Sequence, residues 1–93
     1  MIQRNSLPKA IILAQFLRDT SVGLHGYELQ KRTVMSSGNI YPYLRKMKEE
    51  GWLLTGIQES STSYTPQRIV YYLNPDFIKD AYEYIRAIRE SLR

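Results

Sequence analysis

Apolar positions recur at helical spacing in four stretches of the chain and at strand spacing in two. In the first, Pro8 stands in an opening turn that Ser6 can cap, and Ile11, Ile12, Ala14, Phe16 and Leu17 supply an apolar stripe to about Asp19. Residues 1–5 are polar and read as a loose arm, and 20–23 break the helix. A shorter helix is predicted over 26–33, with Tyr27 and Leu29 apolar and with Lys31 and Arg32 in its last turn, where the helix dipole favours cations. The stretch 36–52, SSGNIYPYLRKMKEEGW, is the best bounded of the four. Ser36 and Ser37 offer capping hydroxyls, Ile40, Leu44 and Met47 make one apolar face, and Gly51 ends it.

Past Gly51 the period shortens. Residues 52–57 and 68–73 (RIVYYL) read as strands, separated by the polar, turn-rich QESSTSYTPQ. On the second strand Ile69, Tyr71 and Leu73 share one side and Arg68, Val70 and Tyr72 the other. The signature of a helix start then returns, with Asn74 as cap, Pro75 at the first position and Asp76 in the first turn. Ile78, Ala81, Ile85, Ile88 and Leu92 follow at three- and four-residue spacing, an a/d seam with Tyr82 beside it. A seam must be covered, either by a second copy of the chain or by the chain's own first helix.

Helix, short helix, tight connection, helix and then a hairpin is the order of a winged helix-turn-helix. The expected fold is therefore mainly α with a small β-hairpin, residues 1–74 forming the winged-helix part and 75–93 a closing dimerisation helix. Ninety-three residues bury a modest core, which favours pairing with another chain.

Charge narrows the partners. Thirteen Lys and Arg stand against nine Asp and Glu, giving +4, and the pI near 9.5 favours a polyanion. Cysteine is absent, which excludes disulfides and thiolate metal sites, and the single His25 cannot hold zinc by itself. No cofactor or metal is expected. The apolar runs are too short for a spanning helix or a signal peptide, so a cytoplasmic, nucleoid-associated protein is expected.

Candidate chemistry concentrates on the third helix. Opposite its apolar face stand Asn39, Tyr41, Tyr43, Arg45, Lys46 and Lys48, aromatics and cations together. Such a face can hold duplex DNA: Tyr41, Arg45 and Lys46 on the backbone, Asn39 on a base edge, Ser36 and Ser37 on phosphates in addition to capping, with Pro42 shaping the first turns. Each also has a plainer use, as core for Tyr41 and as solvated cation for Arg45 and Lys46. Arg68 can border the minor groove or pair with an acid on a neighbouring strand. An enzyme is not expected. The chain has no glycine-rich phosphate loop and no base-and-orienter arrangement for a nucleophile, and the adjacent Glu49 and Glu50 cannot face each other as an acid/base couple.

The segments HGYELQKR, SSGNIYPYLRKMKEEGWL and PQRIVYYLN resemble the PadR family of winged-helix transcriptional regulators. Gly38, Tyr41, Pro42, Leu44, Glu49, Glu50 and Gly51 occupy the family's motif positions in the recognition helix. The resemblance implies a homodimer that binds a palindromic operator, usually as a repressor, with the terminal helix as dimer element. Asn39 stands where the family has Ser or Thr, Ile69 replaces the basic residue after the wing Arg, and the wing lacks a Gly tip. The chain ends after one helix, as in the family's shorter members, so no separate effector domain is expected and a small-molecule effector is not indicated. A second, weaker resemblance is to the bacterial replication terminator protein, a winged-helix dimer on DNA. A protein-interaction module is the rival from another class, because winged helices also bind proteins.

Overall fold

The computed structural model describes residues 7–58 and 68–92. The amino-terminal arm, the Ser6 cap, the wing tip at 59–67 and Arg93 lie outside the described residues, as do the side chains of Gln58 and Arg68. Helix α1 is Leu7–Leu17, strand β1 Leu24–His25, α2 Gly26–Thr33, α3 Ser37–Glu49, β2 Leu53–Gln58, β3 Arg68–Leu73, and α4 Ile78–Ser91 after a 3-10 turn at Pro75–Phe77. The result is the expected mainly helical winged helix-turn-helix.

One element was not legible in the sequence. The sheet has three strands in the order β1-β3-β2, all antiparallel, because Leu24 pairs with Tyr71 and His25 with Val70. Two residues are too few to show alternation, so the only signal at Leu24 was a single apolar residue. β2 and β3 run in register from Leu53 opposite Leu73 to Gln58 opposite Arg68. Before β1, Ser21 donates to the Asp19 carboxylate from its backbone N–H (3.0 Å) and its hydroxyl (2.6 Å), which orders the predicted break.

The core gathers Ile12, Leu13 and Phe16 of α1, Leu29 of α2, Ile40, Leu44 and Met47 of α3, Leu24, Leu53 and Leu73 of the sheet, and Ala81 of α4. Burying a Leu, Ile or Phe side chain contributes about 1.5–3 kcal/mol, so these positions carry the domain. In α1 the buried face is Ala10, Ile12, Leu13 and Phe16, whereas Ile11, Ala14 and Leu17 are only partly buried. The expected stripe was displaced because 10–14 is apolar all round and cannot select a face; packing on α4 selects it.

Both ends of α3 differ in how they are made. Ser36 does hold the N-cap position, but its carbonyl does the work, accepting from Asn39 N (3.0 Å) and Ile40 N (2.9 Å), and its hydroxyl makes no cap bond. The C-terminus closes as a Schellman motif: Trp52 N donates to Met47 O (2.9 Å) and Gly51 N to Lys48 O (3.1 Å). Gly51 sits at φ 96°, where a Cβ would be strained. Asn74 locks this corner, its side-chain amide donating to Gly51 O and its oxygen accepting from Asp76 N, each at 3.0 Å. The closing helix therefore begins three residues later than its sequence signature, after the 3-10 turn.

The seam of α4 is divided. Ala81 and Ile88 are buried inside the chain against its own elements, Ile78 and Ile85 are partly buried, and Tyr82 and Leu92 are 57% and 67% exposed. Ala81 and Ile88 therefore serve the chain's own core, the alternative left open by the spacing. A groove of about 600 Å³ remains along the helix, lined by Ile78, Tyr82 and Ile85 with Lys79, Glu83, Arg86 and Arg89 at its edges.

Candidate nucleic-acid interface

Helix α3 is held by Ile40, Leu44 and Met47, all essentially inaccessible, so its remaining faces are fixed rather than free to roll. At 3.6 residues per turn the polar positions separate into two surfaces. Tyr41, Arg45 and Lys48 lie on one shoulder, at i, i+4 and i+7, while Gly38, Asn39, Pro42 and Lys46 lie over the outer crest. The sequence reading put Asn39 and Tyr41 on one face, and the helix turns them apart. It also counted Tyr43 there, but Tyr43 is half-buried against the core.

The shoulder faces the sheet. Tyr41, Arg45 and Lys48 form one wall of a groove of about 470 Å³ whose other wall is Thr55, Gly56 and Ile57 of β2 with Ile69 and Tyr71 of β3. Ile57 and Ile69 are cross-strand partners, as are Thr55 and Tyr71, so the two pairs stack along one side of the wing. Thr55, Ile57 and Tyr71 were not among the predicted contact residues, and Lys48 was placed on the polar face of α3 without a contact of its own. Only the one-sided set Ile69 and Tyr71 was visible in the sequence, and there it read equally well as core.

Tyr41 is placed by a close approach to α2. A Cβ on Gly26 would lie 2.7 Å from both Cε1 and the hydroxyl oxygen of Tyr41, so glycine at the start of α2 lets the ring lie against the backbone. The opposite edge of the groove holds Tyr71, whose hydroxyl pKa is raised by burial and by the neighbouring Tyr41, with Arg45 opposing. At neutral pH it is an O–H donor beside a guanidinium.

No acidic residue is among the described residues lining the groove. Glu50 turns back to accept an ion pair from Lys9 at 3.1 Å, and Lys9 also lies 4.6 Å from the Trp52 ring centre and 5.0 Å from that of Tyr84. Glu50 is thus engaged rather than simply solvated, tying the end of α3 to α1. In α2 the Glu28 carboxylate accepts from His25 N at 3.3 Å and lies 3.9 Å from Arg32. His25 is the last residue of β1 and the N-cap of α2, and its Nδ1 is buried with no hydrogen-bond partner.

Of the predicted contacts, Ser36, Ser37, Asn39, Tyr41, Pro42, Arg45 and Lys46 are all exposed on α3 or its cap. Arg68 opens β3 opposite Gln58, at the end of the wing nearest the tip. Among the described residues no group of His, Cys, Asp and Glu could hold a metal ion, and no helix is long and apolar enough to cross a membrane.

No family model and no curated protein matches the sequence. Solved structures do. A PadR-like transcriptional regulator from Bacillus cereus strain ATCC 14579 is 25% identical, with a TM-score of 0.66 over 85% of this chain and 78% of that one. A PadR family transcription regulator from Clostridium difficile R20291 is 20% identical, with a TM-score of 0.64 over 90% of this chain and 93% of that one. The smu.1704 protein from Streptococcus mutans UA159 is 23% identical, with a TM-score of 0.72 over 98% and 86%. Helix-turn-helix, three-stranded sheet and closing helix agree with the motif residues of α3: the chain has a winged-helix fold similar to that of PadR-like transcriptional regulators.

Proposed function

We propose that this protein is a DNA-binding transcriptional regulator without enzymatic activity, acting as a homodimer on a palindromic operator, most simply as a repressor. The observation that carries the reading is the groove in which Tyr41, Arg45 and Lys48 of α3 meet one side of the wing. A DNA strand running between recognition helix and wing finds cations and a phenol on one wall and a Tyr hydroxyl on the other, while the crest of α3 enters the major groove. Similarity to a PadR-like transcriptional regulator supports the same assignment. In this reading Ser36, Ser37, Tyr41, Arg45 and Lys46 position the backbone, Asn39 reads a base, Pro42 shapes the crest, and Arg68 borders the minor groove beside the half-site.

The groove along α4 is the proposed dimer surface. Ile78, Tyr82, Ile85 and Leu92 offer the apolar strip, and Glu83 among Lys79, Arg86 and Arg89 supplies both charge signs, so a two-fold copy can pair them.

Duplex titrations over a range of salt test the reading. Binding should weaken steeply with salt; Lys46→Ala should reduce the log-log slope by about one for every sequence, and Asn39→Ala should cost about 1–3 kcal/mol on the preferred site alone. Absence of duplex binding at low salt would favour a protein-interaction module. Footprinting around the protein's own gene then separates regulator from replication terminator: a protected palindrome over a promoter supports the first, protection at a terminus the second.

A further inference from the structure

Two residues on the crest of α3 break the rules of helix formation, and nothing in the fold asks them to. Gly38 and Pro42 are the two residue types least suited to a helix, yet they stand four apart on the same exposed surface of a thirteen-residue one. Two other glycines show what usually calls for the residue. Gly51 has a positive φ, and Gly26 has the Tyr41 ring against it. Gly38 has neither: its backbone is helical, and a Cβ built on it meets nothing within 4 Å. Alanine would fit there and would favour the helix.

Pro42 adds a second irregularity at the same place. In an α-helix the carbonyl of residue 38 accepts from the N–H of residue 42, and proline has no N–H. The Gly38 carbonyl is thus deprived of its helical donor, with the Pro42 ring against it in that donor's place, on a residue that is itself exposed and carries no side chain of its own. The two departures make one feature, a bare patch with a spare acceptor, flanked by Asn39 and Lys46.

We propose that this patch seats the edge of a base pair, the missing Cβ allowing the α3 backbone to approach and the Gly38 carbonyl accepting from an exocyclic amine. In the major groove such donors are the amine of adenine and that of cytosine, so the contact selects one orientation of a base pair at one position. Gly38 and Pro42 then set specificity, whereas the cations of the shoulder set affinity. The inference rests on the reading that α3 enters the major groove, and goes beyond it in giving a backbone group a base-reading role.

The decisive variant is Gly38→Ala, because its two effects should have opposite signs. Melting temperature should rise by several degrees, as expected for Gly to Ala at an unstrained helical site. Affinity for the preferred site should fall at least about fivefold with an unchanged salt slope, while affinity for random duplex stays within about twofold. Pro42→Ala restores the donor that occupies the Gly38 carbonyl without adding bulk over it. Scanned against the preferred site with each base pair replaced in turn, it should lose discrimination at a single position. Wild-type affinity and discrimination in both variants would overturn the proposal while leaving the DNA-binding reading intact, and so would a fall in melting temperature for Gly38→Ala, since the residue would then be structural. If the wild-type protein prefers no sequence at all, the reading beneath the proposal fails with it, and that outcome is visible before any variant is made.

Discussion

Val34 forms the turn between α2 and α3 with φ 57° and ψ 31°, a left-handed conformation that a β-branched residue adopts at a cost, and it is 90% exposed. Neither packing nor a hydrogen-bonding side chain offsets that cost, which for such backbone positions is of order 1–3 kcal/mol. Val34→Gly should therefore stabilise the domain by about 1 kcal/mol, raising the melting temperature by about 4–8 °C; an unchanged or lower value in thermal unfolding would mean the turn is not strained. Tyr71 gives a residue-scale prediction in pH. Its hydroxyl is raised above the ordinary 10.0, so the fold favours the neutral form. Stability from this preference is complete below 10.0, and it is lost as pH rises from there toward the folded-state value, because the unfolded chain ionises first. Alkaline melting curves of Tyr71→Phe should be flatter than those of the wild type in that window, and parallel curves would assign the loss to other groups.

At the scale of elements, α3 and α4 each have one face committed to the core and another left over. In α3 the committed face is complete, with Ile40, Leu44 and Met47 buried. In α4 the apolar set exceeds what α1 can cover: Ala81 and Ile88 are consumed, and Tyr82 and Leu92 are not. Burying a charge in an unpaired apolar contact is costly, so Tyr82→Glu and Ile85→Glu should both convert a dimer to a monomer in sedimentation and weaken binding to a full site. Tyr82 is the cleaner probe, since its exposure means the monomer's own packing is little affected and the helical circular dichroism should persist. A wild-type protein that sediments as a monomer at micromolar concentration and binds a half-site as tightly as a whole one would remove the dimer from the reading.

The whole molecule is more extended than its length requires. Its radius of gyration is 14.0 Å, against about 12 Å for a typical domain of this size. A two-fold dimer on α4 would have to set its recognition helices about one turn of duplex apart, roughly 34–36 Å, to meet a palindrome on one side of the DNA.

The sequence alone determined the elements whose cause is local. Gly51 and Asn74 mark corners because their conformations and side-chain bonds are made within a few residues or at a single contact, and RIVYYL is a strand on its own composition. It determined the core face of α3 for the same reason, since Ile40, Leu44 and Met47 are spaced by the helix itself. Tertiary structure decided whatever depended on a distant neighbour. α4 selected the buried face of an α1 that is apolar all round, β3 made a strand of Leu24 and His25, and α1 took Ala81 and Ile88 out of the seam. It also decided the candidate surface. Helical spacing placed Tyr41, Arg45 and Lys48 in a row, but only the fold set that row across from Ile57, Ile69 and Tyr71, because a groove between two elements is a property of their distance, which no local pattern records.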